Sequence, residues 1–468
     1  VLAYVGNTPT DENHQKDVDI IHAPRSTGSV LKPFLYAAML HEGELLPTTL
    51  IPDVPTQIAG YSPQNFSNSF EGAVPADMAL AKSLNVPFVW LLRQFTTYRF
   101  YEVLQKLRLK NISRHPDHYG LSIILGGAES NLWDLAQAYT NLASEVNVFA
   151  ATQQYRTAEF QSLSYTAGSP PNFGKATTTL PTIRAGALYS MFSAMKEVNR
   201  PTDDVAWRYY ESARKIAWKT GTSFGNKDAW AIGATPEYVV AVWVGNATGE
   251  GRPTLTGVSY AAPVMFSVFN ALPHTTWFQQ PLDDMREVTI CEQSGYLAKP
   301  ECPQKLLRTT LAPKEIGQCP YHKLVHLTPD AQYQVNASCQ PVDQIYTKAW
   351  FVLPPVMEWY YKQQHVHYQS LPPFRSDCTE GVAQKALDFV YPKHLSVIYT
   401  TKSFGGEQQP FVAKAANRSG KLFWYIDDVY LGTTDTFHEM NIFAAKGEHL
   451  LKIINEKGDE KTIKVICQ

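Results

Sequence analysis

Ser29 and Lys32 stand three residues apart in Arg25-Ser26-Thr27-Gly28-Ser29-Val30-Leu31-Lys32-Pro33-Phe34, a spacing that puts both side chains on one face of a helix. A serine attacks a carbonyl only when a base takes its proton. Lys32 could be that base, close to the positive end of the helix dipole. Pro33 fits a helix only in its first turn, so the helix must begin near Ser29. Ser-x-x-Lys alone is a weak signal, because it arises by chance in most chains of this length and usually marks a solvated helix face.

Two further boxes share the chemistry. Lys82-Ser83-Leu84-Asn85-Val86-Pro87 contains Ser-x-Asn, in which a hydroxyl can relay a proton and an amide can hold a peptide group while positioning a lysine. Its bland reading is a helix end before Pro87. Trp218-Lys219-Thr220-Gly221-Thr222-Ser223 is more specific, since Lys-Thr-Gly-[Ser/Thr] should occur by accident in about one in a hundred such chains. On a strand beside the serine, Lys219 and the hydroxyls of Thr220 and Thr222 could bind a terminal carboxylate, and Gly221 would let a substrate backbone approach.

The three boxes appear in the order shared by penicillin-binding proteins and β-lactamases, and the chain resembles that family. Leu84 between Ser83 and Asn85 is closer to the penicillin-binding proteins than to the class A β-lactamases. Tyr61-Ser62-Pro63-Gln64-Asn65-Phe66, Leu125-Gly126-Gly127-Ala128-Glu129 and Met357-Glu358-Trp359-Tyr360 narrow the resemblance to bifunctional class A proteins of the penicillin-binding protein 1C type. It implies a multidomain chain: an α/β (α+β) serine-transpeptidase fold with a C-terminal immunoglobulin-like β-sandwich. It also implies a peptidoglycan D,D-transpeptidase that needs no cofactor and no metal in its site. Ser29 would attack a stem peptide ending in D-Ala-D-Ala, Lys32 would act as base with its pKa lowered by burial and Lys219, Ser83 would relay a proton and Asn85 would clamp the substrate. Backbone N–H groups of Ser29 and Thr222 would hold the oxyanion.

The partners implied are stem peptides, glycan strands, β-lactam antibiotics and proteins of cell-wall synthesis. The setting implied is the periplasmic side of the bacterial inner membrane. The family's upstream glycosyltransferase domain and membrane anchor are expected to lie outside this sequence. Two rival readings keep the same boxes: a D,D-carboxypeptidase or β-lactamase-like hydrolase, in which water replaces the acceptor amine, and a sensor that β-lactams acylate without turnover. Glu129 is expected in a structural turn rather than in catalysis.

The rest of the sequence must position these residues. Its 468 residues favour two or three domains. With 44% hydrophobic and 18% charged residues it is a globular composition, and a formal net charge of −2 argues against nucleic acid as a partner. No apolar run is long enough to span a bilayer, so the residues present are expected to be soluble. Val1-Leu2-Ala3-Tyr4-Val5-Gly6 reads as a strand already under way without an initiator Met, so the sequence is expected to be part of something longer. Residues 1–275 read as the transpeptidase domain, with helices over Ser29–Leu40 and Asn131–Ala143 and a buried strand at Tyr238–Val244. Residues 276–375, rich in Pro and Cys, read as an irregular connector. Residues 376–468 alternate as a sandwich should: Leu395, Val397 and Tyr399 on one face, then Leu422–Ile426, then Ile463 and Val465 after a Gly458-Asp459 turn. No catalysis is assigned there, and Asp427, Asp428 and His449 are expected to be exposed strand or turn residues.

All six cysteines lie at or beyond Cys291. Cys291, Cys302, Cys319 and His322 could form a Cys₃His zinc site, although an oxidising compartment favours disulfides. Cys378 and Cys467 bracket the sandwich and are expected to pair.

Overall fold

The computed structural model describes residues 1–8, 16–56, 58, 62–165, 172–198, 214–312, 316–378, 387–399, 410–416, 420–435, 438–456 and 459–468. Tyr61 and Gly458 lie outside them. Val1–Val5 form no strand, contrary to expectation.

The helix nearest the first box runs over Lys32–Glu42, with Pro33 in its first turn and Gly43 closing it at φ 73°. Every residue from Lys32 to Leu40 is buried, so it is a central helix rather than an amphipathic surface one. Leu132–Thr152 forms a longer helix than expected, capped by Asn131, whose Oδ1 accepts from Asp134 N at 2.7 Å. Beside these lies a three-stranded antiparallel sheet of Ala217–Thr222, Asp228–Ala234 and Val239–Gly245, in that order. Its middle strand is buried throughout. The Val-rich strand expected to be buried is instead an outer strand whose residues are all half-buried, with Val240, Val242 and Val244 packed on the core.

Residues 276–375 are not irregular. Met285–Cys291 pairs antiparallel with Gln304–Thr310, and Pro355–Gln364 is a helix started, not broken, by its proline. Much of this stretch is built into the first unit's core. Buried Asp284 accepts from Arg184 Nη1 at 2.7 Å and from Gly186 N at 2.9 Å. Phe278 stacks on Phe192 at 4.5 Å, and Leu50 N donates to Ser294 O at 2.9 Å. The chain forms two compact units: Val1–Val54, Asn65–Leu324 and Ala349–Leu371 make one, and Pro55–Gln64, Val325–Lys348 and Pro372–Gln468 the other.

In the second unit two sheets share one core. One comprises Asp388–Tyr391, Phe411–Ala416 and Glu439–Ile442; the other orders Ser396–Ile398, Glu460–Cys467, Gly447–Asn455, Leu422–Ile426 and Val429–Thr434. Phe389, Phe411, Trp424, Ile453 and Val465 fill the space between them. Leu395, Val397 and Tyr399 are the exposed set, while Ile398 points inward. Asp427 and Asp428, both at positive φ, form the turn after Leu422–Ile426, and His449 Nδ1 pairs with Asp427 Oδ2 at 2.6 Å. The expected Cys378–Cys467 bridge is absent: Cys378 is bonded to Cys339. Cys467 continues the inward series Ile463, Val465 and is buried as a small apolar residue. Among the described residues no helix is long and apolar enough to cross a membrane.

Candidate active site

Ser29 sits in the turn that leads into the central helix rather than within the helix. Val30 N donates to Thr27 O at 3.2 Å and Lys32 N to Ser29 O at 3.3 Å, which winds the chain tightly up to the N-cap Leu31. Two elements hold this turn. Ser26 Oγ donates to Gly126 O at 2.7 Å, Thr27 N and Oγ1 both donate to Ala128 O, and Trp230 Nε1 donates to Ser26 O at 2.8 Å. Gly126, at φ 102°, has no room for a side chain: a Cβ would lie 2.9 Å from Gly28 Cα. The Leu125–Glu129 motif is therefore a seat for the serine turn. Glu129 is exposed and lies in a two-residue strand opposite Ser26, not in a turn.

Ser29 is half-buried, and neither its hydroxyl nor its N–H has a hydrogen-bond partner among the described residues. Beneath it Lys32 is fully buried. Lys32 Nζ does not bond to Ser29 Oγ; it donates to Asn85 Oδ1 at 2.7 Å, to Ser83 O at 2.8 Å and to Leu84 O at 3.1 Å. Burial, and after it the charge of Lys219, push the Lys32 amine well below the ordinary lysine range, while the three acceptors oppose that by favouring the ammonium. Catalytic contacts commonly tighten only once substrate is bound.

The second box is the joint between two helices. Ala76–Ala81 ends in a Schellman motif, Ser83 N donating to Leu80 O and Leu84 N to Ala79 O, both at 3.0 Å. Ser83 occupies the left-handed position, φ 56°, where glycine is the usual choice. Asn85 then opens the helix Asn85–Phe95. Its N–H donates to buried Asn65 Oδ1 at 2.9 Å, and Asn65 is itself fixed by Nδ2 donating to Asp53 Oδ1 at 2.8 Å. Asp53 and Asn65 are support residues that the boxes did not reveal, because they act across 12 and 20 positions.

The third box forms the outer strand Ala217–Thr222. Lys219, 1% exposed, donates to Ser83 Oγ at 2.7 Å and to Thr220 O at 2.8 Å. Burial pulls it down to about 7. Gly221 also has a purpose within the chain itself. A Cβ there would meet Thr27 O at 2.7 Å and Val30 Cγ1 at 2.9 Å, so the absent side chain admits the protein's own serine turn. Gly28, at φ 51°, is the reciprocal contact, its Cβ position lying 2.7 Å from Thr222 N. Thr220 and Thr222 are half-buried and alternate with Lys219, sharing the opposite strand face. Thr222 Oγ1 accepts from Gly257 N at 3.1 Å. The strand thus divides its polar groups between two faces, with its lysine and glycine turned to the serine.

Boxes separated by more than 180 positions meet: the chain brings Ser29, Lys32, Ser83, Asn85 and Lys219 to one place. Residues 1–270 match the penicillin binding protein transpeptidase domain, and residues 377–465 match the penicillin-binding protein C-terminus family. Over its whole length the chain is 28% identical to penicillin-binding protein 1C of Escherichia coli, of which it spans 60%. Across 52% of its length it is 27% identical to penicillin-binding protein 1B of Vibrio cholerae, covering 31% of that protein. The crystal structure of penicillin-binding protein 1A from Haemophilus influenzae matches with a TM-score of 0.48 and 18% identity, over 65% of this chain and 50% of that one. With the transpeptidase match covering more than half of it, the chain belongs to the penicillin-binding protein transpeptidase family.

Proposed function

We propose that this chain is a serine-type peptidoglycan D,D-transpeptidase acting through an acyl-enzyme on Ser29. The observation that carries the reading is the convergence of an accessible, unpartnered serine with two buried lysines, Lys219 Nζ lying 2.7 Å from Ser83 Oγ and Lys32 Nζ 2.7 Å from Asn85 Oδ1. Neutral Lys32 keeps two of its bonds and turns a lone pair to the Ser29 hydroxyl, which attacks the penultimate D-Ala carbonyl. Ser83 Oγ accepts from Lys219, so its own proton is free to pass to the departing D-Ala amine as the peptide C–N bond breaks, and the proton that Lys32 took from Ser29 replaces it on Ser83. An amine of a second stem peptide then takes the acyl group from Ser29. The N–H groups of Ser29 and Thr222 hold the oxyanion, a donor of this kind typically lowering the barrier by roughly 3 to 4 kcal/mol. The Thr220 and Thr222 hydroxyls bind the substrate carboxylate, and the Lys219 charge on the other strand face offsets its charge.

Stem peptides, glycan strands and β-lactams are the ligands of this reading, which sets the enzyme on the periplasmic side of the inner membrane. In this reading catalysis belongs to the unit of Val1–Val54, Asn65–Leu324 and Ala349–Leu371, and residues 376–468 form an immunoglobulin-like module that docks a cell-wall partner. Mass spectrometry of the intact chain after penicillin treatment tests the nucleophile: one covalent adduct is expected, and none with Ser29→Ala. An adduct that persists in the variant removes Ser29 from the mechanism. Release of D-Ala from a pentapeptide without cross-linked product would instead make the chain a hydrolase.

A further inference from the structure

Cys291, Cys302, Cys319 and His322 gather from three separate stretches of the first unit, their ligand atoms all within 4.8 Å of one another. All four residues are buried, among Leu50, Ala73, Tyr321, Phe351 and Met357. His322 Nδ1 lies 3.3 Å from Cys291 Sγ and 3.4 Å from Cys319 Sγ. A tetrahedral zinc with Zn–S near 2.3 Å and Zn–N near 2.0 Å places its ligand atoms roughly 3.5 to 3.8 Å apart, so the two His322 contacts need shifts of a few tenths of an ångström and the widest separation closes by about 1 Å at most.

Two donors already point at the sulfurs. Ser294 Oγ donates to Cys319 Sγ at 3.1 Å, and Lys299 N to Cys302 Sγ at 3.4 Å. Such bonds stabilise thiolates and orient metal ligands. Disulfides explain the cluster less well. Three thiols are an odd number, none of them is bonded to another, and a bond between any two would strand a buried thiol beside a buried imidazole. Thiolate and imidazole donors in a closed four-fold set suit zinc rather than calcium or magnesium.

We propose that Cys291, Cys302, Cys319 and His322 bind one structural zinc ion, His322 coordinating through Nδ1. With all four positions supplied by buried protein side chains, the site has no catalytic coordination position. The metal pins the end of Met285–Cys291, the loop before Gln304–Thr310 and the start of His322–Leu327 into one core. It also keeps three thiols from oxidising. This role is independent of the acyl-transfer chemistry at Ser29.

The test uses the whole chain, purified without reductant or chelator and analysed for metals. One zinc per chain is expected. Replacing it with Co²⁺ should give intense tetrahedral visible bands and sulfur-to-cobalt charge transfer in the near ultraviolet. Cys319→Ser combined with His322→Ala should lose the bound zinc. Denaturation with a chelator should expose four reactive thiols, those of Cys291, Cys302, Cys319 and Cys467. No metal after reconstitution, iron in place of zinc, or a disulfide within the trio would each overturn the assignment. Should the double variant fail to fold, the cobalt spectrum of the unaltered chain decides alone.

Discussion

Ser83 carries a conflict between local stability and chemistry. It occupies the left-handed C-cap that glycine fills at least cost, so its side chain is retained against roughly 1 to 2 kcal/mol of backbone strain. Ser83→Gly should therefore leave thermal stability unchanged or raise it by up to about 1 kcal/mol, while slowing penicillin acylation by roughly 100-fold or more through loss of the relay. Calorimetry and stopped-flow acylation separate the two effects, and a variant that is both slower and less stable would contradict this account. The lysines set the pH response. Lys32 must lose a proton to act, and burial with Lys219 beside it moves that event far below the usual lysine value, so acylation should rise with pH on the acid side. Lys219 must keep its proton to hold a carboxylate, and at about 7 it begins to lose it, so the rate should fall above neutrality. A second-order rate constant for penicillin measured from pH 5 to 10 checks both limbs; one that climbs without decline to pH 10 would exclude this role for Lys219.

At the scale of elements, the serine turn and the Lys-Thr-Gly strand touch through two glycines, which makes their separation a sensitive quantity. Gly221→Ala would push a methyl group against Thr27 O and Val30 Cγ1. It should cost about 1 to 3 kcal/mol as overpacking and displace the oxyanion donors, seen as a lower melting temperature and slower acylation together. How far these elements were legible in the sequence follows from how local their causes are. Ser29, Lys32 and the Lys-Thr-Gly run were legible because residue type and short spacing carry the chemistry. The helix start was misplaced because Pro33 limits where a helix begins without saying that Ser29 to Leu31 wind as a separate turn. Lys32's true partners lie 51 to 53 positions away, across a helix joint that no periodicity reports. The stretch after residue 276 read as irregular because Met285–Cys291 and Gln304–Thr310 are largely exposed strands with little apolar alternation, and because Pro354-Pro355 start a helix as readily as they break one. The cysteine pairing failed for a similar reason: Cys467 follows the inward face of its strand, and nothing in the spacing distinguishes a core thiol from a bridging one.

For the whole molecule, the contacts of Asp284, Phe278 and Ser294 with the catalytic unit decide where it can be cut. A chain ending near Asn270 discards all three and leaves Arg184 without its buried partner, so it should fail to fold or to bind penicillin. One ending after Leu371 keeps the first unit's residues and should still be acylated at Ser29. Fluorescent penicillin labelling beside circular dichroism distinguishes the cases, and labelling of the shorter chain would show that the later strands are dispensable. The backbone passes between the two units at five places, after Val54, Gln64, Leu324, Lys348 and Leu371. The second unit is therefore sewn in rather than appended: one proteolytic nick at any of these junctions leaves four covalent tethers intact, and excising it cleanly would require two internal gaps to be resealed as well as the tail removed. Such a seam keeps the two halves together through damage that would release an ordinary terminal domain.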